Sequence, residues 1–330
     1  MHQAPYGFRI VGSCSETRRL VDATAALSGY AECVEQAETN NEGYLSAFQF
    51  VEEFRRHLEM TGSTKGYKGP CWSPWLWWDI DRKDDIEAAA RAARRLASFL
   101  VDRYRIDGDE LLVFYSGSKG FHVGLPSSLW RPESAVTFNR QSRQFAEQAA
   151  ERAGIEIDVG VYDKVRAFRA PNSRHPKTGR HKRRLSFDEL LHLKVPAILD
   201  LATAPEPFDI PEPPSSNDEA VADWIEAAKC VERKATAHRE RRTKSNGVAT
   251  LNRVTLGFIC DGATKGDRHR LLYSAAANLA EFGCPAALAH GLLTESALDS
   301  GLTPQEVRRQ IECGLQSEHD TTRTENEVKP

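Results

Sequence analysis

The run Trp75-Leu76-Trp77-Trp78-Asp79-Ile80-Asp81 constrains this chain more than any other stretch. Large apolar residues lead straight into two acids spaced one apart, the pattern of a buried strand that ends at a polar site. Side chains alternate along a strand, so Asp79 and Asp81 project from one face, about 6 to 7 Å apart. Two carboxylates on one stiff face repel each other unless a cation lies between them. A pair of divalent ions, about 3.5 to 4 Å apart, answers that repulsion where an oxygen displaces a phosphate ester. An Asp-x-Asp pair also ends many strands in a solvated turn, so the rest of the chain has to decide.

At 330 residues the chain is long enough for two domains. No apolar run approaches the roughly 18 residues of a membrane span, and the start, Met1-His2-Gln3-Ala4-Pro5, lacks the basic-then-apolar order of a secretory signal. Seven cysteines are scattered without a single C-x-x-C, which suits a reducing cytoplasm and offers neither a disulfide framework nor a zinc site.

Around the acidic strand the patterns alternate. Phe8–Val11 reads as a short strand and Glu16–Leu27 as helical; Tyr44–Phe50 reads as a strand and Val51–Leu58 as a short helix. A helix follows over Asp84–Tyr104 with Ile86, Ala90, Ala93 and Leu100 on its buried stripe. Leu111–Tyr115 and Phe121–Leu125 read as a strand and its return, Val136–Arg152 as a helix and Ile155–Val161 as a further strand. The expected fold is an α/β (α+β) domain around a mixed or antiparallel sheet over residues 1–203. A proline-rich linker, 204–217, separates it from a small all-α helical bundle, 218–318, and a polar, disordered tail, 319–330. The bundle helices are expected over Glu219–Arg242, Arg268–Phe282, Pro285–Leu293 and Pro304–Leu315, the last opened by the capping box Thr303-Pro304-Gln305-Glu306.

Three further features bear on chemistry. Ser116-Gly117-Ser118-Lys119-Gly120-Phe121-His122 sits between two strands and holds what a triphosphate needs. Glycines admit backbone N–H groups to phosphate oxygens, serine donates a hydroxyl, and lysine brings a point charge. Asp158 and Asp163 both lie near the end of another apolar segment, where one could join the acid pair and the other cap a turn. Residues 164–184 then carry nine Lys/Arg and no acid, in a chain whose net charge is −3. That imbalance suits contact with a polyanion, and Arg174, Lys177, Arg180, Lys182, Arg183 and Arg184 are the expected nucleic-acid contacts.

The order D-x-D, S-G-x-K-G-x-H, then D followed by R-x-x-R resembles the archaeo-eukaryotic primase superfamily over roughly residues 40–190. Asp79-Ile80-Asp81 is similar to its first motif and Ser116–His122 to its second. Asp158 with Arg166, Arg169, Pro171, Ser173 and His175 is similar to its third. The linker and helical bundle resemble, more weakly, the helical domain of plasmid and phage primase-polymerases. The resemblance implies that Asp79, Asp81 and Asp158 are catalytic and hold two Mg²⁺ or Mn²⁺ ions. Ser116, Gly117, Lys119, Gly120, His122, Arg166 and Arg169 would bind the nucleoside triphosphate. Some members carry a zinc-binding insertion, which the cysteine spacing here does not offer.

The expected function is DNA-templated nucleotidyl transfer that starts and extends primers in phage or plasmid replication, in the cytoplasm of a bacterial or phage-infected cell. Its partners would be single-stranded DNA, NTP or dNTP and a replicative helicase, fused or separate, with no membrane. Arg233, Lys234, Arg239, Arg241, Arg242, Lys244, Lys265, Arg268 and Arg270 of the bundle would help to start chains. A gap-filling repair polymerase of the same fold and a non-catalytic single-stranded-DNA-binding replication factor are the alternatives.

Overall fold

In a computed structural model of the chain, residues 4–244, 251–264 and 266–326 are described. The chain divides into two compact units, Met1–Ala235 and Thr236–Pro330.

The first unit is built on two antiparallel sheets. One joins β1 (Tyr6–Val11), β2 (Arg19–Asp22), β3 (Gly43–Ser46), β4 (Gln49–Phe50), β5 (Cys71–Trp72) and β9 (Ala167–Arg169); β1 pairs with β2, β3 and β4, β4 with β5, and β3 with β9. The other runs in the order β10 (Arg183–Leu185), β7 (Leu112–Tyr115), β8 (Gly120–Pro126), β6 (Trp75–Asp81). Helices α1 (Ala23–Ala31), α2 (Glu52–Thr61), α3 (Ile86–Tyr104), α4 (Phe138–Ala153), α5 (Phe187–His192) and α6 (Val195–Leu201) complete it with the start of α7 (Asp218–Lys244).

Period-two alternation sets the two faces of β6. Leu76, Trp78 and Ile80 join the main core with α3 and α4, where the Trp78 indole donates to the Ala146 carbonyl at 3.1 Å. Trp75 and Trp77 face the other way, toward Leu112 and Phe114, and Asp79 and Asp81 continue that row. α3 is held at its start by Asp85, whose carboxylate accepts from Ala88 N at 2.8 Å. Gly154, at φ 64°, ends α4 in the left-handed region that favours glycine.

Several expectations change. The helix expected over Glu16–Leu27 is half strand, because 19–22 pairs with β1 and Asp22 caps α1 only from there. The strand expected over Tyr44–Phe50 is broken at Ala47-Phe48. Ile155–Val161 forms no strand; it contributes one isolated bridge, Asp158 to Asp79, and then a short 3₁₀ turn at Val159–Tyr162.

The expected linker 204–217 is extended but packed. Phe208 N–H donates to the Ala31 carbonyl at 3.0 Å and its ring meets Phe114 edge-on, while Asn217 N–H donates to the Leu129 carbonyl at 2.8 Å. Beyond it, Trp224 stacks on Trp130 with ring centroids 5.4 Å apart. Asp223 accepts from Arg103 at 2.6 Å, Arg152 at 2.9 Å and Tyr104 at 3.0 Å. The compact unit therefore runs past the expected boundary at 203 to Ala235, because aromatic stacking and a shared carboxylate tie the start of α7 to α3 and α4.

The second unit holds α8 (Arg253–Asp261), α9 (Arg268–Ala280), α10 (Ala286–Asp299) and α11 (Pro304–Asn326), packed around Phe258, Leu272, Leu279, Leu293 and Ile311. Glu306 and Thr303 form the expected capping box at the start of α11. That helix continues to Asn326, so 319–326 is helical rather than a disordered tail, and 327–330 lie outside the described residues. Among the described residues, no helix is long and apolar enough to cross a membrane.

Candidate functional site

Strand register assembles the candidate site. In the β6–β8 ladder Asp79 lies opposite His122 and Asp81 opposite Gly120. Lys119, at the hairpin tip, places its ammonium 2.9 Å from Asp81 Oδ2. On the other side of β6, Asp158 N–H donates to the Asp79 carbonyl at 2.9 Å, which sets the third acid beside the first. Asp158 Oδ1 accepts from Gly160 N at 2.7 Å, so it also caps the 3₁₀ turn. Asp163 sits at the far end of that turn, exposed, with Oδ1 accepting from Val165 N at 3.3 Å.

Charge at the site is finely balanced. Burial pushes the Asp79 carboxyl up, but its contact with His122 and the positive charges of Lys182 and Arg166 outweigh it and hold the group below its ordinary value. Burial lowers His122, and Lys182 lowers it further against the pull of Asp79 and Asp81. We place the charge of that pair on the carboxylate, because the ring is enclosed while Lys182 and Arg166 also act on Asp79. His122 Nε2 stands 3.5 Å from Asp79 Oδ1 without hydrogen-bond alignment, which leaves that buried oxygen without a hydrogen-bond partner. The hydrogen bond to Asp81 raises Lys119, with Asp81, Asp79 and Asp158 all adding their fields. One ammonium thus feels all three acids.

The hairpin is closed by its own backbone. Ser116 N–H donates to the Gly120 carbonyl at 2.9 Å, and Ser116 Oγ accepts from Gly120 N at 3.2 Å. The serine hydroxyl is thereby committed to the turn as an acceptor and keeps its proton for a further acceptor. Gly117 has φ 88°, and its carbonyl accepts from Thr178 of the basic segment.

Arg166 is exposed. Arg169 is not free: its guanidinium donates to Tyr44 Oη at 3.1 Å, lies 3.5 Å from Glu42 and stacks 4.9 Å from the Tyr44 ring centroid. Glu42 and Tyr44 were not anticipated, since only the β3–β9 register, Tyr44 opposite Arg169, brings them to the site.

The expected nucleic-acid contacts separate into two groups. Arg174 and Lys177 are exposed and Arg180 is half-buried, on the loop that meets the hairpin. Lys182, Arg183 and Arg184 belong instead to the interior edge of the fold, a correction to the expected basic loop. Lys182 is 1% exposed, donates to the Arg169 carbonyl at 2.8 Å, and has its ammonium 4.3 Å from the Phe168 ring centroid and 4.7 Å from that of Phe114. Arg184 donates to the Leu111 carbonyl at 2.9 Å, and Arg183 pairs with Glu206 at 3.2 Å. Pairing as β10 ties Arg183 and Arg184 into the sheet, and aromatic rings enclose Lys182, against the impression of a continuous charged run.

Oxygen donors alone, on Asp79, Asp81 and Asp158, match a hard divalent cation such as Mg²⁺ or Mn²⁺. The orphaned buried oxygen of Asp79 is what such a cation would satisfy. Among the described residues no three His, Cys, Asp or Glu side chains are gathered closely enough to form a ready metal cluster, and Lys119 supplies the counter-charge at Asp81.

A cavity of about 650 Å³ lies toward the opposite end of β6, among Trp72, Trp75, Pro126, Arg131, Ile210 and Pro213. None of the anticipated site residues line it.

No family model matches the chain, and no curated protein matches it. Among solved structures, the crystal structure of primase RepB' aligns over 99% of this chain and 95% of that chain, at 13% identity and a TM-score of 0.36. A likeness that distant carries no argument for a shared fold or activity.

Proposed function

We propose that the chain is a DNA-templated nucleotidyltransferase that starts and extends primers. The observation that carries this reading is the placement of Asp79, Asp81 and Asp158 along one edge of a sheet, with Lys119 in the field of all three and His122 opposite Asp79. A binding surface for a polyanion gains nothing from three carboxylates facing it.

Asp79, Asp81 and Asp158 would hold divalent cations, Mg²⁺ or Mn²⁺, which when bound would neutralise phosphate charge and acidify the attacking hydroxyl. The chain's own part is positioning. The closed hairpin offers Lys119 and the Ser116 hydroxyl to the triphosphate. Arg166 adds a guanidinium from the residue just before β9, and His122, held neutral by burial, can donate a hydrogen bond without repelling a cation. Arg169, clamped by Glu42 and Tyr44, presents a fixed charge at the rim. Arg174 and Lys177, exposed, and Arg180, half-buried, would follow a template or primer backbone, with affinity falling as salt rises. The partners are then single-stranded DNA and nucleoside triphosphates.

The test is incubation with unprimed single-stranded DNA, Mg²⁺ or Mn²⁺ and labelled nucleotides. New chains are the expected product. Extension of an annealed primer only points to a repair polymerase, and binding without incorporation overturns the enzymatic reading.

A further inference from the structure

Lys119 stands out for the contrast between its backbone and its side chain. The backbone around it is fixed: Ser116 and Gly120 close the hairpin, Tyr115 Oη donates to the Ser118 carbonyl at 2.8 Å, and Arg82 N–H reaches the Lys119 carbonyl at 3.5 Å. The side chain is more than half exposed, and among the described residues it pairs with Asp81 Oδ2 at 2.9 Å. A flexible stem on a rigid tip can swing without cost to the fold.

The ammonium occupies a carboxylate of the acid pair that a divalent cation would need. Both charges on one carboxylate oxygen would lie only a few ångströms apart, where like charges repel strongly. We propose that Lys119 is a displaceable counter-ion: it neutralises Asp81 in the free protein, leaves when a divalent cation takes that oxygen, and then binds the triphosphate. This rests on the reading of the acids as a cation and nucleotide site. It makes cation and nucleotide binding mutually reinforcing, since each favours the swung-out lysine, and the coupling must be reciprocal.

The experiment measures Mn²⁺ binding to the full chain by electron paramagnetic resonance, in wild type, Lys119→Met, Lys83→Met and Asp79→Ala. Lys83 is exposed and two residues from Asp81, so its substitution removes the same formal charge without removing the ion pair. Lys119→Met is expected to bind Mn²⁺ about ten-fold tighter and Lys83→Met within about two-fold of wild type. Lys119→Met should also bind a non-hydrolysable nucleoside triphosphate more weakly at saturating Mn²⁺, by calorimetry. Equal Mn²⁺ affinity in Lys119→Met and wild type, or an equal gain in Lys83→Met, overturns the counter-ion role. If Asp79→Ala binds Mn²⁺ as wild type does, or if no variant binds it, the cation site itself is wrong and the proposal falls with it.

Discussion

Gly120 and Asp81 face each other across the β6–β8 ladder, and a Cβ on Gly120 would collide with Asp81 Oδ1 and the Ile80 carbonyl oxygen. The glycine of the hairpin is therefore what lets the second acid lie flat over its neighbour strand. Gly124 does the same for Trp77, whose ring would meet any side chain there. Gly120→Ala is expected to displace Asp81 and to cut nucleotide incorporation by more than about ten-fold. A variant with wild-type incorporation would show that Asp81 need not hold this position.

Asp79→Ala and Asp81→Ala should each abolish incorporation while the protein stays folded, because both acids lie on the face of β6 away from the α3–α4 core. The measurement is primer extension beside a thermal melt. Near-normal synthesis by either variant would remove that residue from the site.

The third acid separates by geometry. Asp158 adjoins Asp79 through a backbone bridge, whereas Asp163 is exposed beyond the 3₁₀ turn. Asp158→Ala should lose synthesis across a Mn²⁺ titration and Asp163→Ala should keep it. The reverse ranking would exchange the two assignments.

Asp223 fastens α7 to the first unit by accepting from Arg103, Arg152 and Tyr104. Burial pushes its carboxyl up, and those three donors outweigh burial to hold it below the ordinary carboxylate value. A depressed carboxyl contributes stability that is present above the unfolded value and is lost as pH falls through the folded one. Wild type should therefore lose stability as pH drops below about 4, and Asp223→Asn should flatten that part of the curve. At pH 7 the substitution should cost on the order of 1 to 3 kcal/mol, measured by denaturant unfolding.

Truncation tests where the first compact unit ends. A fragment ending at 204 discards the Phe208 and Trp224 contacts, so it should melt well below a fragment ending at Ala235. The longer fragment holds every acid and triphosphate contact proposed above and should extend an annealed primer. Starting a chain demands more positioning, so removing 236–330 should weaken initiation selectively. Of the basic residues expected to help, Arg233 pairs with Glu226, Lys234 with Gln144, Arg270 with Asp267, and Arg268 caps carbonyls at Ser300 and Gly301. Lys265 and the side chains of Arg239, Arg241, Arg242 and Lys244 lie outside the described residues. Equal initiation with and without 236–330 would leave that unit no part in starting chains.

Much of this architecture is local and was legible as such. Alternation along 75–81 places Asp79 and Asp81 on one side of β6, helical spacing marks the buried stripe of α3, and Thr303 with Glu306 announces α11. Each rests on a period or a cap that spans a few residues. The remainder depended on partners far away in the chain. Asp158 reaches Asp79 by a single bridge, not by the strand its apolar neighbours suggested. Nine basic residues in one run look alike in sequence, yet pairing with β7 turns Arg184 toward backbone carbonyls, and an aromatic enclosure takes Lys182. Proline content marks 204–217 as extended, but its packing is decided by Ala31, Phe114 and Leu129. Periodicity and capping act within a turn or two, whereas register, burial and the pairing of charges are settled only when distant strands meet.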